Sequence, residues 1–555
     1  MRFLKRRRRD PEIAPDEIFL DSSNLPAFNK NRLEGHLEQP LSSGAYVGLG
    51  GALVLMLLIL LLRSWHLEIG QGVKYAQASE RNLLESKVLF ADRGAVLDRN
   101  GTPLISNTQA ADGDVVRTYR APAFSALLGY VSSPKKDKSG KYYDTEMKGL
   151  AGIEASLNSQ LAGQNGSLLV EEDAIGHVQS QGSVKPAVPG KTLTLSIDYR
   201  AQEAFFNAIK ATADKVPFQS GAGILMDADT GEVLAIASYP EYDSNVLVAG
   251  GPSDVIAGYS TDPRQPYLDR AVGGLYTPGS VVKPLEASGA LTDGIVVPEF
   301  TINDTGSISI PNPYDPKHPS IFRDWRAIGV EDLRRAIAFS SDVYFYTIGG
   351  GFGGQKGLGI DRLTYWYNTY GLTRPTGIEL PGEKTGFVPS PTWKQKIFGE
   401  AWNIGDTYHT AIGQYSMQIT PIEEARAIAA IANGGKLVKP TLIKGNTPSG
   451  ESIAVNASAL QVVREGMRMG VQEGTSIGLN DLSFVHLAGK TGTAQTGSHN
   501  EYYNAWAVGF FPYEHPKYVY VVVMEHGPAG NSTGGIFVMH QFLSSLHSVA
   551  PEYFQ

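Results

Sequence analysis

Thr277-Pro278-Gly279-Ser280-Val281-Val282-Lys283-Pro284 sets a serine three residues ahead of a lysine, directly behind a Pro-Gly pair. The run that follows, Val281 to Leu291, is mostly apolar and compatible with a helix. If Ser280 opens that helix, the i, i+3 spacing brings Lys283 onto the face that carries the hydroxyl. A serine hydroxyl needs a base to become a nucleophile, and a lysine serves if burial keeps it neutral. The helix N-terminus also favours negative charge developing at Ser280.

A Ser-x-x-Lys spacing is weak on its own. Ser132/Lys135 and Ser133/Lys136 fit it too, in a polar loop with no helix to orient them. Two further elements give the first one company. Ser340-Ser341-Asp342 sits between apolar residues in AIAFSSDVYFY and is read as a helix end or turn packed in a core, with a simple helix cap as the equal alternative. Lys490-Thr491-Gly492-Thr493 leads into the strand-like NAWAVGFFP. An edge strand there offers backbone groups to an extended peptide, and a Lys and a Thr to receive its carboxylate. A second Lys-Thr-Gly, Lys384 to Gly386, lies among prolines and is assigned no chemistry.

Around these elements the chain reads as a membrane-anchored, two-part protein. Arg6 to Arg9 precede a polar segment, and Gly44 to Leu62 carry no charge over a length that suits a transmembrane helix. The run starts too late for a cleaved signal peptide, and the basic excess ahead of it places the N-terminus in the cytoplasm and the bulk outside. Leu67 to Leu89 suits a helix leaving the membrane. Ala91 to Asn107 suits two strands around an Asp98-Arg99-Asn100-Gly101 turn, and Gly149 to Gly166 an amphipathic helix. A boundary is placed near Asp198, itself a helix cap. The division is residues 1–43 cytoplasmic tail, 44–62 transmembrane helix, 63–197 membrane-proximal pedestal and 198–555 catalytic domain. Strands at Gly221 to Pro240, helices through the middle and strands again near the end predict an α+β fold, an antiparallel sheet flanked by helices.

Composition excludes several classes. With 42% hydrophobic and 19% charged residues the chain can build sizeable cores. A net charge of −8 argues against a general nucleic-acid binder. Without cysteine there is neither a disulfide nor a thiolate zinc site. Asp227-x-Asp229 lacks the remaining positions of a calcium loop and reads as a hairpin turn, and Gly489-Lys490-Thr491 lacks the upstream glycine of a P-loop. Gly530-Asn531-Ser532-Thr533-Gly534 fits the hydrolase elbow, but no Asp follows it to complete a triad. No metal cluster is indicated.

In this order, Ser280-x-x-Lys283, Ser340-x-Asp342 and Lys490-Thr491-Gly492 resemble the three motifs of the penicillin-binding proteins. DRGAVLDRNG, GLAGIE, MDADTGEVLAIASYP and GDTYHTAIGQYSMQITP resemble the class B members, and FRDW, SSDVYFY, SPTWKQK and AWNIGDT the elongation-type subgroup. The resemblance implies a penicillin-binding domain on a small non-catalytic pedestal. It implies a D,D-transpeptidase that cross-links peptidoglycan stem peptides during wall elongation and is a β-lactam target. Ser280 would form an acyl-enzyme with a D-Ala-D-Ala donor, Lys283 would act as base and Ser340 would relay a proton to the leaving amine. Lys490, Thr491, Gly492 and Thr493 would bind the substrate, and the backbone N–H groups of Ser280 and Thr493 would hold the oxyanion. Asp342 belongs to the catalytic set, and no cofactor is implied. A SEDS-family glycosyltransferase and other elongation-complex proteins are the implied partners. A D,D-carboxypeptidase, a serine β-lactamase and a non-catalytic β-lactam sensor remain the alternatives. Three departures stand out: the stretch from Gly101 to Gly149 is short, Ser341 stands where some relatives carry a zinc-binding cysteine, and the family's GQG is Gly413-Gln414-Tyr415.

Overall fold

The uncharged stretch forms helix α1 (Ser43–Trp65), 23 residues long with none of them buried. At a rise of about 1.5 Å per residue it is roughly 34 Å long, enough for a bilayer core of about 30 Å. Among the described residues it belongs to the one helical segment long and apolar enough to cross a membrane. The computed structural model describes residues 43–75, 84–109, 115–172, 178–312, 315–497, 499, 501–529 and 533–555. The basic cluster Arg6 to Arg9 and Ser532 of the hydrolase-like elbow lie outside these. The chain divides into two units, Met1–Ser86 with Leu169–Gln181, and Lys87–Leu168 with Gly182–Gln555. The helix expected from Leu67 to Leu89 is corrected. A π-turn occupies His66–Gly70, and Leu84–Leu89 is a strand. Gly70 and Gly72 weaken helix propagation at that point.

In the larger unit, strands β1 (Val96–Leu97), β2 (Pro103–Gln109), β3 (Val115–Tyr119) and β4 (Leu193–Thr194) form a small sheet in the order β4-β1-β2-β3. The Asp98 carboxylate closes the predicted turn by accepting from Asn100 N at 2.8 Å and Thr102 N at 2.7 Å. The helix expected over Gly149 to Gly166 is two short ones, Gly152–Ser156 and Asn158–Leu161, broken at Leu157. Between the halves of this lobe lies an ion triad. The buried Glu154 carboxylate takes Arg93 at 2.5 Å and Arg117 at 2.7 Å.

Helix α2 (Tyr199–Lys215) starts at Asp198, whose side chain caps Arg200 N as expected. Strands β5 (Ser220–Asp227) and β6 (Val233–Tyr239) form a hairpin. Asp227 accepts from the backbone of Asp229 and Thr230, so the acidic pair shapes a turn. The helical middle contributes α3 (Lys283–Thr292), α4 (Leu333–Phe339), α5 (Asp342–Gly350), α6 (Ile404–Ala411), α7 (Pro421–Ala432) and α8 (Ala457–Gln472). Strands β7 (Ala488–Thr496), β8 (Tyr502–Phe511) and β9 (Tyr518–Pro528) and helix α9 (Gly535–Val549) complete the chain.

The central sheet has the order β6-β5-β9-β8-β7 and is antiparallel throughout. Its inner strands read as continuous apolar runs because both faces are covered. On one face α2 and α9 meet over the sheet, with the Phe205 and Phe542 rings stacked 4.1 Å apart. Gly223 permits that approach, since a Cβ there would lie 2.4 Å from the Phe205 ring. Helix α7, buried at all twelve positions and opened by a Thr420/Glu423 capping box, packs in the interior beside β9 and β5. Strand β7 pairs on one side only, which leaves an edge beside the Gly279–Val282 turn and α8.

Candidate active site

Ser280 lies in a single 3₁₀ turn, Gly279–Val282, that runs directly into α3. The turn sits close against β7. Gly279 has φ +58°, and a Cβ on it would come within 3.1 Å of Thr493 O. Gly492 is packed as tightly, with Pro278 O 2.7 Å from where its Cβ would be. Gly413 supports the turn from below by accepting from Gly279 N at 2.9 Å. Two positions on, Tyr415 takes a left-handed φ of +55° where the related motif has glycine, and its ring packs edge-on against Trp393 and Trp402.

One turn after Ser280, at the first residue of α3, Lys283 is fully buried. Its Nζ donates to Ser340 O at 2.8 Å, Ser341 O at 3.2 Å and Asp342 Oδ1 at 2.5 Å, with Ser340 Oγ at 3.5 Å. Three near acceptors, one of them a carboxylate, use all three hydrogens of an ammonium. The sequence made its use as a base conditional on burial keeping it neutral. Burial is complete, but Asp342 faces it as a counter-charge. Ser280 makes no side-chain hydrogen bond among the described residues.

Ser340 and Asp342 owe their placement to a junction between two helices. Helix α4 ends at Ser340, held in the left-handed region at φ 61° and ψ 38°. This is an uncommon conformation for a residue with a side chain, and such strain concentrates at functional sites. Ser341 then caps α5, accepting from Tyr344 N at 3.0 Å. The middle motif is thus a cap and also part of the site. Asp324, from FRDW, fixes the junction by accepting from Ser341 Oγ at 3.2 Å, Asp342 N at 2.5 Å and Val343 N at 2.9 Å. A carboxylate at the first turn of α5 complements the helix dipole.

Lys490, on β7, is also buried, and its Nζ meets Ser340 Oγ at 2.7 Å and Thr491 O at 2.7 Å. Ser340 Oγ therefore stands between the two lysines. Thr491 Oγ1 bonds Thr475 Oγ1 at 2.7 Å, while Thr493 is exposed toward the cleft. The cleft has a volume of about 520 Å³, and Ser280, Ser340, Asp342, Thr491, Gly492 and Thr493 line it. Lys283 and Lys490 lie behind its wall. Lys384 is remote from this chemistry and donates its backbone N–H to Val272 O.

Burial sets the charges. It drives Lys490 well below the ordinary lysine range, helped by the positive charge of Lys283 and opposed by Asp342. It raises Asp342 and Asp324 above the usual carboxylate range, against the pull of Lys283. It raises Glu331 behind them to about 8. Glu286, one turn after Lys283, is fully buried, makes no hydrogen bond and is raised by that burial well above the usual carboxylate range. Spacing did not reveal Trp325, Thr475 and Trp506, which also line the cleft. Trp325 belongs to FRDW, but nothing local says that its indole N–H reaches Phe339 O at 3.1 Å and leaves the ring at the rim.

A family model described as "Penicillin binding protein transpeptidase domain" matches residues 221–540, more than half of the chain. One described as "Penicillin-binding Protein dimerisation domain" matches residues 110–195. The chain is 32% identical over 450 residues to the peptidoglycan D,D-transpeptidase MrdA of Haemophilus influenzae, across 73% of this chain and 65% of that protein, under two thirds of its length. Among solved structures it is similar to Pseudomonas aeruginosa PBP2 in complex with WCK 5153, at TM-score 0.69 and 30% identity, covering 85% of this chain and 98% of that one. It is also similar to the PBP2 of a complex with MreC from Helicobacter pylori, at TM-score 0.69 and 27% identity, covering 84% and 99%.

Proposed function

The chain belongs to the penicillin-binding protein transpeptidase family, and from that premise we propose that it is an elongation-type D,D-transpeptidase acting on peptidoglycan stem peptides. One observation carries the reading: the reactive residues of three distant motifs meet at a single cleft, with Ser340 Oγ joining the two lysines behind Ser280. An extended D-Ala-D-Ala end lies along the free edge of β7 as an added strand. Its carboxylate meets the Thr491 and Thr493 hydroxyls, with Lys490 behind them. Ser280 Oγ attacks the penultimate carbonyl, and the oxyanion falls to the backbone N–H groups of Ser280 and Thr493. Each such donor is worth about 3 kcal/mol in comparable sites. Lys283 takes the serine proton. As the C–N bond breaks, a proton passes through Ser340 to the departing amine, terminal D-Ala leaves, and an amine of a second stem completes the transfer.

The one long apolar helix among the described residues supports a one-pass membrane protein in the same reading, with its N-terminus cytoplasmic and the cleft outside. A SEDS-family glycosyltransferase supplies the glycan, and the solved complex of the Helicobacter relative with MreC supports assembly with elongation proteins. A fluorescent penicillin should label the wild type for hours and Ser280→Ala not at all. Rapid loss of the label would move the protein to the hydrolytic β-lactamase class. Labelling that persists in the variant would exclude Ser280 as the nucleophile.

A further inference from the structure

We propose that Asp342 is the proton store of the acylation step: Lys283 becomes a base by passing an ammonium proton to the Asp342 carboxylate and not by losing it to solvent. The proposal rests on the acyl-serine reading above. Its ground is geometric. Asp342 Oδ1 lies 2.5 Å from Lys283 Nζ, closer than any other acceptor of that lysine, and all three ammonium hydrogens are already given to protein acceptors. The lysine side chain is 0% exposed and that of Asp342 20% exposed. Two cleft-lining groups stand between Lys283 and water, the Asp342 carboxylate at 2.5 Å and, much farther off, the Ser340 hydroxyl at 3.5 Å, so Asp342 is the nearest proton acceptor on the way out.

A buried ion pair and its neutral tautomer contain the same protons. Desolvation penalises the charged form, so the neutral pair lies within reach. Burial already raises Asp342 above the usual carboxylate range. The charged and titratable groups around the pair act in both directions. Lys490 from β7 favours the carboxylate, while Asp324 before α4 disfavours it. His409 from α6 and Tyr346 on the same helix also feel its charge. On the lysine side stand Glu286 of α3, raised well above the usual carboxylate range by burial, and Glu331, raised to about 8.

The step balances. A proton moves from Lys283 Nζ to Asp342 Oδ1, leaving an amine and a carboxylic acid. Rotation about Cε–Nζ turns the amine lone pair to Ser280. The amine takes the hydroxyl proton as the Oγ–carbon bond forms and the carbonyl becomes the oxyanion. When the oxyanion collapses, the carbon–nitrogen bond breaks and Lys283 returns one proton through Ser340 to the leaving amine. Asp342 then gives its stored proton back, and the ion pair is restored. No proton is exchanged with solvent during acylation.

The test is the pH profile of acylation by a fluorescent penicillin, measured on the full-length protein in detergent for the wild type and Asp342→Asn. The wild-type rate should be flat from pH 6 to 7, below the pH of about 8 at which Glu331 beside the pair titrates, because the reactive and resting pairs hold the same protons. In the variant the store is gone and the counter-charge with it, so burial lowers Lys283 and the rate follows its own proton exchange with solvent: the profile should carry a limb rising tenfold per pH unit that the wild type lacks. A role that only positions Lys283 would lower the variant's rate and leave its profile the shape of the wild type's. Profiles of the same shape overturn the proposal, and so does a tenfold rise per unit in the wild type, a result that does not depend on the variant folding. If the wild type is labelled at no pH, the acyl-serine reading fails first and this proposal with it. If it is labelled but the profiles coincide, this proposal alone fails.

Discussion

Replacing Lys283 by methionine removes the charge but keeps most of the stem that packs in the interior, so the variant isolates the ion pair. In the wild type the Nζ holds the Asp342 carboxylate at 2.5 Å and two carbonyl oxygens at 2.8 and 3.2 Å, with the lysine side chain fully buried. Removing one partner of such a pair costs about 3–5 kcal/mol, because the other charge stays buried without compensation. Asp342 retains 20% exposure on the cleft side, which places Lys283→Met near the low end, at about 3 kcal/mol. Adding Asp342→Asn removes the stranded charge, so the double variant should recover most of that loss and come within about 1 kcal/mol of the wild type. The deficit of the single variant should also depend on pH. Its unpaired Asp342 titrates above the unfolded value, so between the two values the folded state binds more protons than the unfolded one. Stability then falls as pH rises, and the deficit should be larger at pH 8 than at pH 5. Urea unfolding followed by tryptophan fluorescence measures the stabilities, and fluorescent penicillin the activity. Neither variant should be labelled. If the single variant is as stable as the wild type, or the double variant no more stable than the single, the Lys283–Asp342 pair does not exist as described. If the methionine variant is acylated, Lys283 is not the base.

Two further perturbations test the framework around the site. Glu154→Gln leaves Arg93 and Arg117 buried against a neutral partner. It should cost about 3 kcal/mol in thermal or urea unfolding without slowing penicillin labelling of the folded protein. A loss below about 1 kcal/mol would show that the triad contributes little to the fold. Glu241, which accepts from Ala123 N and Ser125 N, is pushed by burial to about 7 from an ordinary 4.5. Its folded state holds a proton that the unfolded state has lost, so its contribution to stability falls between pH 4.5 and 7, by at most about 3 kcal/mol. Glu241→Gln should flatten that part of the stability–pH curve, and an unchanged slope would mean Glu241 titrates normally.

The parts legible in the sequence were those set by local geometry. Ser280 and Lys283 lie one turn apart, so their spacing alone brings them to one side of α3. Alternation along β7 separates buried Lys490 from Thr491 and Thr493, and the apolar runs of β8 and β9 announce a sheet covered on both faces. Where local pattern competed with tertiary contact, the reading failed. LESKVL over Leu84–Leu89 has no periodicity strong enough to separate a helix from a strand. The amphipathic run after Gly149 breaks at Leu157 although its pattern continues.

What no spacing reports is the charge state of the site. A buried lysine is neutral or ionised according to what faces it, and the group that faces Lys283 lies 59 residues away in sequence. The reading from Thr277 to Pro284 made neutrality of Lys283 conditional on burial and could not see the Asp342 carboxylate that meets it. Lys490, read as a partner for a substrate carboxylate, is the lysine that burial and its neighbour drive well below the ordinary range. The difference follows from the order in which the two lysines meet Asp342. The nearer one takes the counter-charge, and its own positive charge then lowers the other. The serine between them, held in a left-handed conformation by the α4–α5 junction, accepts from Lys490 at 2.7 Å and faces Lys283 at 3.5 Å. A hydroxyl that accepts from the lysines keeps its own proton for a group in the cleft, which is the polarity that a proton relay toward a leaving amine requires.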